Sequence, residues 1–164
     1  PGRPGTALMI ATASSAHIPA IVALDGLAAR PWSEATWRTH LRARHGLTVV
    51  SRDDDSGDVT GFAAFALAGD VADLMRVAVA PEHRRQRLAW SLIDAGIDWA
   101  VSLEAARMML EVEPDNVAAV RLYRELGFRD VSVRRDYYGS GADALVMALS
   151  LASIEEWELT GTNQ

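Results

Sequence analysis

The sequence predicts an α/β (α+β) fold with a mostly antiparallel mixed sheet, and three observations support this prediction. Hydrophobic periodicity gives the element order β-α-α-β-β-β-α-β-α-β-β, which is typical of this class. In the segment Val77–Leu92, an alternating apolar strand stops at Pro81 and a basic turn opens into an amphipathic helix. The 164 residues contain no repeat or low-complexity linker, so we expect one domain over residues 1–164, with frayed termini at 1–6 and 152–164.

The N-terminal part is expected to place two helices after its first strand. Leu8–Ala13 is predicted to be that strand, and His17–Ala29 has apolar residues at helical spacing. Pro31–Glu34 reads P-W-S-E, which is typical of a break in helical structure followed by the start of a new helix. That helix is expected to continue over Thr36–His45. Ser33 is the expected N-cap, because its hydroxyl can accept a hydrogen bond from the first turn.

The next strands are predicted at Leu47–Arg52 and Val59–Ala68, joined by a polar turn. The turn, Asp53–Asp58, is rich in aspartate but lacks the spaced ligands and distal glutamate of an EF-hand, so a solvated turn is favoured over a calcium loop. Asp73–Val79 is the strand that leads into the basic turn.

The C-terminal half alternates helices and strands. An apolar stripe at helical spacing begins at Leu88 and defines a long helix. Asp115 or Asn116 caps the following helix, and Gly127 ends it. The remaining predicted strands are Arg107–Glu113, Phe128–Tyr138 and Ala144–Leu151.

Composition excludes several kinds of chemistry. The chain has no Cys, and all 16 basic residues are Arg, so thiolate catalysis, disulfides and a lysine Schiff base are excluded. A net charge of −6 argues against a nucleic-acid partner. The four His residues show no metal-ligand spacing, and no apolar run is long enough for a membrane span. We therefore expect a cytoplasmic enzyme or binding protein without a metal, a membrane or a nucleic acid as partner, and a monomer or weak dimer.

The basic turn is a candidate phosphate site. Arg84, Arg85 and Arg87 lie where a strand passes into a helix, so their guanidinium groups would join the unpaired N–H groups of the helix N-terminus. The alternative is a solvated basic turn. The position at a strand-to-helix junction favours the phosphate interpretation.

Two further residues, Glu111 and Tyr123, are candidates on their own evidence. Glu111 lies in the predicted strand M-M-L-E-V-E, where partial burial would suit a general base; the alternative is a solvated glutamate at a wet sheet edge. Tyr123 lies on the buried side of the next helix, either as a core tyrosine or in a catalytic role. Asn116, read on its own, is a plain helix cap.

Taken together, these segments resemble the GNAT superfamily of N-acetyltransferases, and within it the RimI-like ribosomal-protein N-terminal alanine acetyltransferases. The likeness covers nearly the whole chain in order. It is carried by P-W-S-E at Pro31–Glu34, V-A-V-A-P at Val77–Pro81, R-R-Q-R-L-A at Arg84–Ala89, L-E-V at Leu110–Val112, N-V-A-A-V-R-L-Y-R-E-L-G-F at Asn116–Phe128, R-R-D-Y-Y at Arg134–Tyr138 and D-A-L-V-M at Asp143–Met147. The resemblance implies a sheet of six to seven strands, splayed at a central parallel pair and flanked by about four helices.

The resemblance also implies an activity and roles for its residues. The donor would be acetyl-CoA, transferred directly to a free amine, here the N-terminal α-amine of a protein such as a ribosomal protein. Glu111 would be the general base, and Tyr123 would protonate the departing thiolate. The cofactor would contact Val77, Ala78, Val79, Arg84, Arg85, Gln86, Arg87, Leu88, Ala89, Asn116 and Tyr123. Acceptor contacts are expected at Trp32, Glu34, Glu113 and Tyr138.

One position departs from the family pattern. The family turn has the form Q/R-x-x-G-x-G/A, and Arg87 replaces its first glycine, whereas Ala89 fits the second position. A non-glycine residue in a left-handed conformation costs about 1–2 kcal/mol, so we expect weakened but real binding of acetyl-CoA. The alternative activities are acetylation of lysine side chains or of a small amine, or a degenerate module that only mediates interactions.

Overall fold

The computed structural model describes residues 8–84 and 86–152, which contain seven strands and four α-helices. The strands are β1 (Leu8–Thr12), β2 (Gly46–Asp53), β3 (Val59–Ala68), β4 (Val71–Val79), β5 (Arg107–Val112), β6 (Arg129–Arg134) and β7 (Ala144–Ser150). The helices are α1 (Ile18–Asp25), α2 (Glu34–Arg42), α3 (Leu88–Ser102) and α4 (Val117–Glu125). Short 3-10 turns cover Ser15–His17 and Pro81–His83. Apart from Ala152, the termini that were expected to be frayed lie outside the described residues.

Hydrogen bonds connect the seven strands in the order β1-β2-β3-β4-β5-β7-β6. The pairs β1–β2, β2–β3, β5–β7 and β6–β7 are antiparallel, whereas β4 and β5 run parallel. The recorded β4–β5 pairs run from Val71–Arg107 to Asp73–Met109, although β4 continues to Val79. The predicted mixed sheet with one parallel pair is thus confirmed. No helix within the described ranges is long and apolar enough to span a membrane.

The chain divides into two compact units, of which the first contains residues 1–66 and 74–96. Its core is a cluster of buried side chains contributed by α1, α2, β2 and β3: Ile21, Trp37, Val50, Phe62 and Ala64. Helix α2 begins at the predicted cap, since the Ser33 hydroxyl accepts from the Thr36 N–H at 3.1 Å. Helix α1 ends earlier than predicted, at Asp25.

The second unit contains residues 67–73 and 97–164. In β5, alternate residues are buried, with Met108 at 0% and Leu110 at 1% exposure, so the opposite face carries Glu111. All six residues of β6 are exposed, and its register with β7 shifts between Asp130 and Ser132.

The predicted strand Phe128–Tyr138 is wrong at its C-terminal end, because β6 stops at Arg134. Asp136 has a left-handed φ of 53° and binds the turn that follows. Its side chain accepts from the Gly141 N–H at 2.6 Å, and its own N–H donates to Asp143 at 2.9 Å. These side-chain bonds replace the ladder bonds that a longer strand would make.

Candidate active site

In the first unit, the basic turn lies between the end of β4 and the start of α3. The Arg84 Nε donates to the Val79 carbonyl at 3.3 Å, which folds this side chain back on the strand. Gln86 and Arg87 are exposed, whereas Leu88 is buried and begins α3. Arg85 lies outside the described residues.

Arg87 adopts the left-handed conformation that its replacement of glycine suggested, with φ at 59°. Its guanidinium lies over the Trp90 ring at 5.2 Å, and its carbonyl accepts from the Ser91 N–H at 3.0 Å. The backbone strain is therefore about 1–2 kcal/mol, offset in part by a cation–π contact of about 0.5–1 kcal/mol.

The groups at this turn fit a phosphate-bearing cofactor such as acetyl-CoA. Helix α3 is 15 residues long, and the first N–H groups of an α-helix have no acceptor within the helix. Arg84 and Arg87 add guanidinium groups within the same turn. Positive donors at a helix N-terminus are the usual partners of a phosphate. The segment Val77–Val79, expected to run along the pantetheine arm, is half-buried.

We predict that Arg87→Gly binds acetyl-CoA with equal or higher affinity than the wild type, because glycine adopts this φ without strain. A calorimetric titration with acetyl-CoA measures the effect. Arg87→Ala is the matched control, since it removes the guanidinium but keeps the strain, and it should bind more weakly than Arg87→Gly. Loss of binding in both variants would instead identify Arg87 as a phosphate ligand.

Two acceptor candidates also lie in the first unit. Trp32 is half-buried, with its ring 4.8 Å from that of Trp37 and 5.5 Å from that of His40. Burial lowers the pKa of His40, so the imidazole is held neutral beside the indoles. Glu34 is exposed and pairs with Arg38 at 2.6 Å. The structure thus gives Trp32 a fixed position and leaves Glu34 at the surface.

In the second unit, Glu111 is partly exposed, with 31% of its side chain accessible. Its strand β5 pairs with β7 on one side, and Glu111 itself lies opposite Val146. The catalytic role of Glu111 stays a prediction, because a general base and a solvated glutamate can share this partial exposure. Glu111 Oε1 lies 3.6 Å from Arg134 Nη1, an ion pair that was not predicted from the sequence.

Tyr123 is buried, and its ring meets that of Phe128 edge-on at 6.0 Å. Burial, with a smaller contribution from Tyr138, raises the pKa of Tyr123 to about 12. The hydroxyl therefore keeps its proton at neutral pH and up to strongly alkaline pH. A group in this state can donate a proton to a leaving thiolate.

A series of contacts connects Glu111 with Tyr123 inside the second unit. From Glu111 it passes to Arg134, whose guanidinium lies 4.5 Å from the Tyr137 ring centre. The Tyr137 ring lies 5.0 Å from that of Tyr138, and Tyr138 contributes electrostatically to the raised pKa of Tyr123. The turn after β6 thus positions aromatic and cationic groups beside both catalytic candidates.

The other candidates of the second unit lie at the start of α4. The Asn116 side chain accepts from the Ala119 N–H at 3.3 Å, so Asn116 is the cap and Asp115 is not. The Asn116 N–H donates to the Glu113 carbonyl at 3.0 Å, and Glu113 is half-buried. The cofactor role of Asn116 and the acceptor role of Glu113 stay predictions.

The first unit contains a buried carboxylate that was not predicted from the sequence. Asp25 is 2% exposed and pairs with Arg76 on β4. Helical spacing could have indicated its burial, because Ile18, Ile21 and Asp25 share one face of α1. In the described ranges, no cluster of three or more His, Cys, Asp or Glu side chains could hold a metal ion.

Comparison with known proteins gives a consistent result. The profile of the Acetyltransferase (GNAT) family matches residues 19–128. The chain is 32% identical over 147 residues to the [ribosomal protein bS18]-alanine N-acetyltransferase of Escherichia coli K12, covering 87% of this chain and 97% of that protein. It is also 32% identical over 122 residues to the N-alpha-acetyltransferase RimI of Mycobacterium tuberculosis, covering 71% and 74% of the two chains. The crystal structure of the Escherichia coli ribosomal-protein-S18-alanine N-acetyltransferase superposes with a TM-score of 0.81 at 30% identity, covering 96% of this chain and 99% of that one.

Proposed function

The chain belongs to the acetyltransferase (GNAT) family, which uses acetyl-CoA as acetyl donor, and on this premise we propose that it acetylates the N-terminal α-amine of a protein. The proposed acceptor is a ribosomal protein of the bS18 type with an N-terminal alanine. The observation that carries this is the similarity to the Escherichia coli enzyme, which extends over most of both chains and includes the fold.

The residues of this chain would divide the chemistry between them. Acetyl-CoA supplies an activated carbonyl carbon, to which the acceptor nitrogen becomes bonded as the bond to sulfur breaks. Glu111 takes the proton that the nitrogen loses, and its partial exposure leaves the carboxylate accessible to an acceptor. Tyr123 would give its hydroxyl proton to the departing sulfur; its raised pKa keeps that proton present at neutral pH, but it also makes the hydroxyl a weaker acid than an ordinary tyrosine. An unperturbed α-amine has a pKa near ~8, so a modest fraction of the acceptor is already neutral at pH 7.

Binding of the cofactor's pyrophosphate is proposed for the first unit, on the chemistry of its donors. Arg84 and the N-terminus of α3 would hold the pyrophosphate, with the backbone of Arg87 in the same turn. A backbone N–H of Val77–Val79 would polarise the thioester carbonyl, as an oxyanion hole does. The absence of cysteine from the chain is consistent with direct transfer, since no thiol can carry the acetyl group.

A peptide panel tests the proposal. One peptide carries a free N-terminal alanine and no lysine, and its matched partner carries a blocked N-terminus and one lysine. We expect mass spectrometry to find the acetyl group on the first peptide, in the presence of acetyl-CoA and enzyme. Because the enzyme has no lysine, acetylation of its own side chains at lysine cannot confuse the result. Acetylation of the second peptide alone would indicate a lysine acetyltransferase, and modification of neither would support the interaction module.

A further inference from the structure

Asp25 is a buried carboxylate held by several donors. Its Oδ2 accepts from the Trp32 N–H at 2.8 Å and from the Trp37 indole at 3.1 Å. Its Oδ1 accepts from Arg76 Nε at 2.8 Å. A carboxylate removed from water is tolerated only with such partners, so the chain around it has little freedom to move.

Arg76 contacts the chain ahead of α2 at more than one point. Besides its bonds to Asp25, its Nη2 donates to the Arg30 carbonyl at 2.9 Å. Its guanidinium also lies 5.3 Å from the centre of the Trp32 ring. A planar guanidinium that bonds along two directions and covers a ring fixes backbone and indole together, which an ammonium or an apolar side chain could not do.

Arg76 lies next to a segment that is predicted to contact the cofactor, and it contacts a residue that is predicted to contact the acceptor. Arg76 immediately precedes Val77, the start of the predicted pantetheine segment, on the same strand. Trp32 belongs to the predicted acceptor contacts and lies in the first unit with it. Arg76 therefore joins the segment expected to contact the acceptor to the strand expected to contact the cofactor.

We propose that Arg76 is a positioning residue for the acceptor: through Asp25 and the Trp32 ring, it fixes the indole against which the N-terminal residue of the acceptor packs. This proposal rests on the proposed function, because the acceptor role of Trp32 belongs to it. A buried ion pair by itself is weak evidence of stabilisation, since apolar replacements are often equally stable.

The kinetic test compares Arg76→Met and Arg76→Lys with the wild type on the alanine peptide. Arg76→Met removes the contact with the Trp32 ring and also leaves Asp25 without its cation. We expect the acceptor KM to rise about tenfold in this variant, with kcat and the KM for acetyl-CoA changed less than about twofold. Arg76→Lys should raise the acceptor KM less than Arg76→Met does, since lysine keeps the positive charge but lacks the several N–H donors of the planar guanidinium. Arg44→Met is the matched control, because Arg44 is exposed in the turn after α2, and it should leave all three constants unchanged.

A double-mutant cycle decides whether Arg76 acts through Trp32. If it does, introducing Arg76→Met into the Trp32→Ala variant should raise the acceptor KM by less than about twofold, because the contact between Arg76 and the Trp32 ring is already lost. Independent effects that multiply would overturn the proposal. So would an equal rise of both KM values, which indicates general loosening of the structure.

A second readout needs no activity. The indole N–H signal of Trp32 in a proton–nitrogen NMR spectrum, assigned by its absence in Trp32→Phe, should shift or broaden in Arg76→Met and in Arg76→Lys. An unchanged signal in both variants contradicts the proposal. If the wild type acetylates no peptide, the proposed function fails, and this signal still tests the positioning by Arg76.

Discussion

Glu111→Gln is expected to lower kcat roughly 100- to 10,000-fold on the alanine peptide, the range that a general base contributes. Glutamine has the shape of glutamate but cannot take up the proton that the attacking amine releases. The ion pair with Arg134 is lost as well, yet both side chains are partly exposed, so its stabilising contribution is only about 0–1 kcal/mol. The variant should therefore fold normally and bind acetyl-CoA with unchanged affinity.

Steady-state kinetics and a calorimetric titration measure these two properties. Glu125→Gln is the control, because it removes one negative charge from an exposed position of α4 and should leave kcat unchanged. An unchanged kcat in Glu111→Gln would make Glu111 a solvated glutamate without a catalytic role. A large loss of affinity for acetyl-CoA would make it structural instead.

Gly96→Ala is expected to lower the free energy of unfolding by about 2–3 kcal/mol or more. An added Cβ would lie 2.0 Å from Cζ of Phe65 and 2.2 Å from its Cε1. Alanine favours a helix over glycine by about 1 kcal/mol, but this gain is smaller than the cost of the overlap. Phe65 is fully buried, so its ring has little room to move away.

Urea unfolding of the wild type and the variant measures the effect. The double variant Gly96→Ala/Phe65→Leu should lose less free energy of unfolding than the two single variants lose together, because the smaller leucine side chain makes room for the added Cβ. Asp98→Ala, at an exposed position of the same helix, should change stability by less than about 0.5 kcal/mol. Additive effects in the double variant would show that Phe65 is not the obstacle.

Periodicity and capping predicted most of the fold because both act over short distances. The hydroxyl of Ser33 caps α2 as predicted, and β3 has the predicted bounds at Val59–Ala68. The prediction was wrong where a side chain took over backbone bonds, as Asp136 does beyond the end of β6. Such competition depends on the turn as a whole, and periodicity carries no information about it.

The candidate site was predicted in part. Local motifs pointed to Glu111, Tyr123 and the turn at Arg87, and the left-handed backbone of Arg87 agrees with the departure noted from the sequence. The partners of these groups come from distant positions in the chain. Asp25 and Arg76 are 51 residues apart, so no spacing rule links them before the chain is folded.

The exposed strand β6 bears on how the protein behaves in concentrated solution. Among the described strands it pairs with β7 alone, so its other edge can act as a template for strands of other chains, the first step of fibrous aggregation. The register shift between Asp130 and Ser132 interrupts that edge, and the arginines at both ends of the strand, Arg129 and Arg134, add charge to it. Because β6 has no buried residue, its sequence contributes little to the core. Its register shift and its charges instead act against intermolecular β-sheet growth. These features of β6 therefore favour resistance to aggregation over core stability.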